Sequence, residues 1–330
     1  MPLIGPLLAI LMSAVVATAA QAETSVTIVA DVPGACRLAA PATGQTLFIL
    51  DDQARTVRAV DPFAPTKNWS AISAFDLDAG GPQPVQPVAI ACIDSNTLAV
   101  VCRAGAEWSL RAYRLAPSGA EDHAARLLQT VPLGAAEARA GAALDVVVSD
   151  TRDWLAVVGL PATLPPVVRA PIAGARLGGF ADRLCPTGVN ADRLMAATIS
   201  PFDEWVLFSR RDEGRSGGTG VTFHATAGRR RLLDLDLDLA GIRDAAYCRG
   251  TGTLWVAADG DGRAAAAAGL WRIDAALIDG RQVARPVAVA PLEAPLSVVC
   301  LSERAIAVCG GGASRRVLLV NPVTPVETAP

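Results

Sequence analysis

Cys92-Ile-Asp-Ser-Asn-Thr-Leu98-Ala-Val100, Cys248-Arg-Gly-Thr-Gly-Thr-Leu254-Trp-Val256 and Cys300-Leu-Ser-Glu-Arg-Ala-Ile306-Ala-Val308 are three copies of one pattern. In each, an apolar run ends in cysteine, a short polar stretch follows, and a second apolar run begins. Outward from these copies, the second run recurs six times, opening at Thr46, Thr97, Trp154, Trp205, Thr253 and Ala305, at spacings of 51, 57, 51, 48 and 52 residues. A unit of that length is one supersecondary element that cannot bury its own apolar face, so it must stack on further copies of itself.

The rest of each unit reads as strand. Thr56-Val-Arg-Ala-Val-Asp-Pro62, Ser109-Leu-Arg-Ala-Tyr-Arg-Leu115, Gly269-Leu-Trp-Arg-Ile-Asp274 and Arg316-Val-Leu-Leu-Val-Asn-Pro322 are short, β-rich and bounded by Gly, Pro, Asp and Asn. Arg230 to Asp238 and Arg285 to Pro291 supply further runs of the same kind. Four strands per unit describe a propeller blade. The expected fold is therefore all-β, a six-bladed β-propeller. Its last unit stops after a third strand, near Asn321, while Ser25-Val-Thr-Ile-Val-Ala30 is a strand without a unit. That N-terminal strand is expected to complete the last blade and close the ring, which removes exposed sheet edges.

Two stretches carry a resemblance to known families. Thr253-Leu-Trp-Val-Ala-Ala-Asp-Gly-Asp-Gly262 followed by Leu270-Trp-Arg-Ile-Asp274, and Thr46-Leu-Phe-Ile-Leu-Asp-Asp52 followed by Val57-Arg-Ala-Val-Asp-Pro62, resemble blades of NHL, YWTD, YVTN and SMP-30-type propellers. No blade holds a full YWTD or YVTN tetrapeptide. The resemblance implies the fold; these families include lactonases, quinoprotein subunits, receptor modules and scaffolds, so it does not imply one activity.

Residues 1–22 read as a signal peptide, with an apolar stretch from Leu7 to Ala20 and a small-x-small site at Ala20-Gln-Ala22. The stretch is too short to span a bilayer. Residues 23–330 read as a single propeller domain of a protein exported to the periplasm or secreted, with no membrane insertion after cleavage. A net charge of −3 and a pI near 5.5 leave no broad basic field for nucleic acid.

Cys92, Cys248 and Cys300 share one repeat position, Ser149 holds it in the third unit, and Cys36 lies close to it. The position falls near the end of the innermost strand, where crowding favours small side chains, so buried free thiols are the first expectation. Disulfides are the second. Cys36 with Cys300 would staple the first and last blades. The pairing among Cys36, Cys92, Cys102, Cys185, Cys248, Cys300 and Cys309 stays open. A thiolate ring on a soft metal would lack the CxxC spacing of such sites.

Only His123 and His224 exist, neither in a recognisable catalytic context, and there is no CxxCH, Walker loop or GxSxG elbow. Charged loops on one face are the better candidates, since loops on a rigid scaffold carry function. They hold Asp51, Asp52, Arg103, Glu107, Arg211, Asp212, Glu213, Arg243 and Asp244, with Trp108 as an exposed aromatic beside them. The expected role is a noncatalytic module that binds a protein partner or a small molecule there, with no cofactor. Asp259-Gly-Asp261-Gly262 resembles half of a calcium loop, so Asp259 and Asp261 are candidate ligands for Ca²⁺ or Zn²⁺; a plain hairpin turn explains them equally. An SMP-30-like lactonase would need acids in the central cavity. Asn190, Asp203, Glu204 and Asp94 are available, but they do not match that motif, and Asp94, Asp203 and Glu204 fall in turns on the opposite face. The other alternative is an accessory subunit of a periplasmic redox complex.

Overall fold

The computed structural model describes residues 25–33, 36–64, 72, 74–78, 84–116, 125–135, 145–149, 151–160, 167–179, 182–183, 193–199, 204–210, 219–225, 231–237, 239–248, 253–260, 268–278, 281–302, 305–311 and 315–321. The proposed signal peptide lies outside these residues. The described strands form six antiparallel sheets, numbered here as blades 1 to 6.

Blade 1 holds β2 (Cys36–Ala39), β3 (Leu47–Asp51), β4 (Thr56–Val60) and β5 (Ala74–Asp76). Blade 2 holds β6 (Gln86–Cys92), β7 (Thr97–Ala104), β8 (Glu107–Leu115) and β9 (Ala125–Ala135). Blade 3 has β10 (Asp145–Val148), β11 (Trp154–Val158), β12 (Val167–Ala173) and the short β13 (Arg176–Leu177) and β14 (Asp182–Arg183). Blade 4 has β15 (Leu194–Ile199), β16 (Glu204–Arg210), β17 (Thr219–Ala225) and β18 (Arg231–Leu237). Blade 5 has β19 (Ala240–Cys248), β20 (Thr253–Gly260), β21 (Gly269–Ile278) and β22 (Arg281–Pro291). Blade 6 has β23 (Ser297–Ser302), β24 (Ala305–Gly310) and β25 (Arg315–Asn321), with β1 (Ser25–Val32) as its outer strand.

Each second strand starts within a residue of where the repeat places it, because its alternating positions face a neighbouring blade on both sides. Leu47, Ile49 and Leu50 are fully buried, as are Leu98, Val100 and Val101. The apolar clusters follow suit. One packs blade 1 on blade 2, another 2 on 3, and so on to 5 on 6. The sixth packs blade 6 on blade 1 through Val29, Ala30 and Val32 of β1, so the set of interfaces closes on itself. The fold is an all-β propeller.

Closure rests on β1, which pairs antiparallel with β25 from Ser25↔Asn321 to Val32↔Arg315. The N-terminal strand thus finishes the sheet that the C-terminal strands begin, as its isolated position in the sequence predicts. Trp154, Trp205, Trp255 and Trp271 are all buried, and the rings of Trp154 and Trp205 meet at 5.5 Å across blades 3 and 4. Trp108 departs from expectation. It is only 5 % exposed, packed in the cluster between blades 2 and 3. Gly105, at φ +60°, opens the two-residue turn from β7 to β8 and folds Trp108 inward opposite Arg103.

The cysteines also correct the first expectation. Cys248 and Cys300 form a disulfide with a Cα–Cα distance of 5.4 Å, so Cys300 is not joined to Cys36. Innermost strands converge toward the axis, which brings the same repeat position of neighbouring blades within bonding distance. Cys92 holds that position in blade 2, but the next blade has Ser149 there, and Cys92 stays a buried free thiol, as does Cys102 at the other end of the β6–β7 pair. Cys309 is also disulfide-bonded.

Candidate functional site

The innermost strands of all six blades line an axial channel of about 810 Å³. Most of its wall is backbone and small apolar side chains, such as Ala39, Ala91 and Ala245. Polar groups stand at both ends, and the two carboxyl groups lie at the end where the innermost strands begin and the second strands finish.

There two carboxyl groups meet. Asp145 opens β10 of blade 3, and Asp244 lies near the start of β19 in blade 5. Both line the channel, close enough for the charge of one to act on the other. A bulge between Ile242 and Asp244 sets the aim of the second group. It turns Arg243 out to the rim and Asp244 into the channel, the local re-aiming that bulges provide.

Asp244 is well supplied with donors. The Ser297 hydroxyl and the Val298 N–H both donate to its Oδ2 at 2.8 Å, and the Ala245 N–H donates to its Oδ1 at 2.8 Å. Ser297 Oγ in turn accepts the Leu38 N–H at 3.1 Å. One carboxylate therefore ties the innermost strands of blades 5, 6 and 1. Among the described residues Asp145 receives one hydrogen bond, from the Val146 N–H at 2.7 Å.

Burial raises the pKa of both groups. For Asp145 the nearby Asp244 charge raises it further, well above the carboxylate range, while Arg37 pulls both back. Three donors favour the charged form of Asp244, and of the two groups Asp145 is the one whose pKa burial and the neighbouring charge raise the further. Arg37 opens out from β2 of blade 1 and donates to the Leu296 carbonyl at 2.8 Å. Blades 3 and 5 thus each send a carboxyl group into the channel, and Arg37 of blade 1 stands behind its wall, near enough for its charge to act on both.

At the far end, Cys92, Ser149, Arg152 and Thr43 line the mouth near the Cys248–Cys300 bridge. Arg152, at φ +58°, donates to the Ile93 carbonyl at 3.1 Å. Thr151 and Ser149 hydroxyls donate to Asp153 and lower its pKa.

Of the rim residues singled out from the sequence, the described ones other than Asp244 lie at the carboxyl-pair end but outside the channel. Asp51 Oδ1 accepts the N–H groups of Gln53 and Ala54, closing the β3–β4 turn. Burial, then the Asp51 charge, raises the pKa of Asp52. Arg103 donates to Gln86 at 2.8 Å and lies over the Trp108 ring at 5.9 Å, while Glu107 is exposed at the start of β8. Arg243 clamps Asp259 with two hydrogen bonds of 3.2 and 2.6 Å. That clamp occupies both oxygens of the proposed metal ligand. Arg211, Asp212, Glu213 and Asp261 lie outside the described residues, as do Asn190, Asp203 and His123. Asp94 folds back on Asn96 in the β6–β7 turn, on the far face. Among the described residues no three His, Cys, Asp or Glu side chains cluster as a metal site.

Of the sequence candidates only Asp244 enters the channel, while Asp145 and Arg37 come from the structure alone. A signal for Asp145 does exist. Asp145 and Asp244 each stand four residues before the shared repeat position, held by Ser149 and Cys248.

No family model matches the chain, and no curated protein matches it. Solved structures do. The PQQ-bound aldose sugar dehydrogenase of Streptomyces coelicolor superposes with a TM-score of 0.57 at 13% identity, covering 91% of this chain and 98% of that one. The apo soluble aldose sugar dehydrogenase of Escherichia coli gives 0.54 at 11%, covering 91% and 100%. A luciferin-regenerating enzyme gives 0.53 at 10%, covering 91% and 95%. These likenesses show the fold. Their differing activities set no chemistry for this chain.

Proposed function

We propose that this propeller binds a small, hydrogen-bonding ligand in its axial channel, through Asp145 and Asp244 with the Arg37 charge behind them, and acts as a binding module outside the cytoplasm. The observation that carries the reading is the carboxyl pair itself. One protonated and one ionised carboxyl, with a guanidinium behind the wall, offer a donor and acceptors within a small-walled cavity. A hydroxyl-rich ligand such as a sugar uses both. Nearly neutral in sum, the trio suits an uncharged ligand better than an anion. The Cys248–Cys300 disulfide suits an oxidising compartment, and among the described residues no helix is long and apolar enough to cross a membrane.

The dehydrogenase likeness raises PQQ as a channel ligand, and the described lining does not fit it. That cofactor is a tricarboxylate, and at this mouth it would meet two carboxyl groups with one arginine behind the wall. A different second reading draws on the same pair: a carboxyl whose pKa is raised can donate a proton to a bound substrate, which keeps hydrolase chemistry as the alternative.

Isothermal titration of the purified chain against a panel of neutral mono- and disaccharides, with calcium as a separate arm, tests the reading. Saturable sugar binding that Asp145→Asn and Arg37→Gln weaken supports it. Binding of calcium alone, lost in Asp145→Asn, replaces it with a metal site. Binding of a sugar unaffected by either change sinks the assignment of the channel.

A further inference from the structure

Away from the axis, the outer strands of blades 2 and 3 border a second cavity of about 510 Å³ that is open to solvent. Three exposed arginines line it, Arg114, Arg126 and Arg176, with Gln129 and Leu128 beside them, and no carboxylate is among its described lining residues. Arg114 of β8 and Arg126 of β9 are direct cross-strand partners. Like charges placed so repel and lower stability. Arg176 comes from β13 of the next blade and adds a third positive charge to the same space.

The floor of the cavity is built. The Gln129 amide Nε2 donates to the Leu177 carbonyl at 2.6 Å, and its Oε1 accepts the Leu177 N–H at 3.0 Å. A side chain thus takes the place of a strand backbone and joins β9 to β13. This double bond fixes the neighbour of Arg176 against blade 2. The described ion pairs, such as Arg55–Asp78 and Arg272–Asp274, lie in other blades and involve none of the three arginines.

We infer that this inter-blade cavity binds a small organic molecule bearing a multivalent oxyanion, either a phosphate ester or a polycarboxylate. Planar guanidinium forks match both oxyanions with paired hydrogen bonds. Leu128, packed on the blade 2–3 side, covers the organic body. The site is separate from the axial channel, and its test is independent of the channel reading.

The experiment is isothermal titration of the full chain with inorganic pyrophosphate and, separately, with citrate at low ionic strength. Saturable one-to-one binding of either is expected, weakening as salt screens the charges. Each of R114Q, R126Q and R176Q lowers affinity about tenfold, the scale of one charge-assisted hydrogen bond. Without anion, R114Q and R126Q each raise the melting temperature slightly by relieving the cross-strand repulsion. Binding of pyrophosphate alone assigns a phosphate ester, and binding of citrate alone a carboxylate. The inference is overturned if neither anion binds saturably, or if the triple glutamine variant binds as the wild type does. Should that variant misfold, R176K decides: it keeps the charge but loses the fork, so undiminished affinity counts against the site.

Discussion

Removing the Cys248–Cys300 bridge by the double substitution Cys248→Ser and Cys300→Ser tests how the ring is held. The bridge closes a loop of 52 residues that contains β20, β21 and β22. For that length, chain-entropy closure gives about 14 cal/mol/K, or about 4 kcal/mol at 25 °C, withdrawn from the unfolded state. With unfolding entropy of about 2.1 cal/mol/K per residue, a fold of about 300 residues has roughly 0.6 kcal/mol/K at its midpoint. The double variant is therefore expected to melt about 6 °C below the wild type. Circular dichroism during heating, at two scan rates so that the midpoint reports equilibrium, measures the shift. Reductant is the wrong tool, because Cys309 is bridged as well and would open with it. Cys92→Ser serves as the control, since Cys92 is a free thiol at the same repeat position. A double variant melting within a degree of the wild type, or no lower than the control, would refute the reasoning, because the bridge would then close nothing that the packing had not already closed.

Three further outcomes follow from the same geometry. Asp145 keeps its proton in the folded chain where the unfolded chain has released it, so from about pH 4 upward stability falls as pH rises through that window; Asp145→Asn flattens this fall in urea midpoints taken across pH, and parallel profiles would count against the proton assignment. Gly44, at φ +63°, lets the β2–β3 turn pass directly against the Leu301 backbone of blade 6; Gly44→Ala is expected to cost about 1–3 kcal/mol, read from the urea midpoint, and a neutral substitution would mean the turn yields freely. Burial pushes the Cys102 thiol up to about 12 and the Cys92 thiol higher still, so iodoacetamide at pH 8 leaves both unmodified by mass spectrometry until urea is added; native labelling of either refutes their burial.

The sequence made the ring legible because its second strands are buried on both faces and must be apolar throughout, as Trp154-Leu-Ala-Val-Val158 is. An unmatched strand at one end and an unfinished unit at the other made closure legible too. The site was harder to see. Asp145 precedes three valines and looks like the polar edge of a strand; its meaning comes from Asp244, distant in sequence and two blades away. The exposed rim charges drew attention first, yet Arg243 and Asp259 satisfy each other. Trp108 misled for a related reason. An aromatic beside Glu107 and after a glycine turn looks exposed, but its neighbour across the strands is Arg103, and the adjoining blade covers it.

The channel site and the ring closure share atoms. Leu38 belongs to the first blade and Ser297 to the last, and they meet through the Ser297 hydroxyl, whose proton goes to Asp244. Arg37, next to Leu38, reaches the Leu296 carbonyl beside Ser297. A ligand that engages Asp145 and Asp244 therefore contacts the junction where chain start and chain end are joined. Whatever it gains by binding the closed ring and not an opened one stabilises that closure by the same amount. The β1–β25 pairing at the outside of blade 6 and the Asp244 network at its inside are two latches on one seam. Ligand binding at the axis should thus protect the β1 amides, far out on the rim, from hydrogen exchange. If the sugar that binds the channel leaves exchange in β1 unchanged while slowing it in β19 and β23, the two latches are not coupled and the site acts within its own wall.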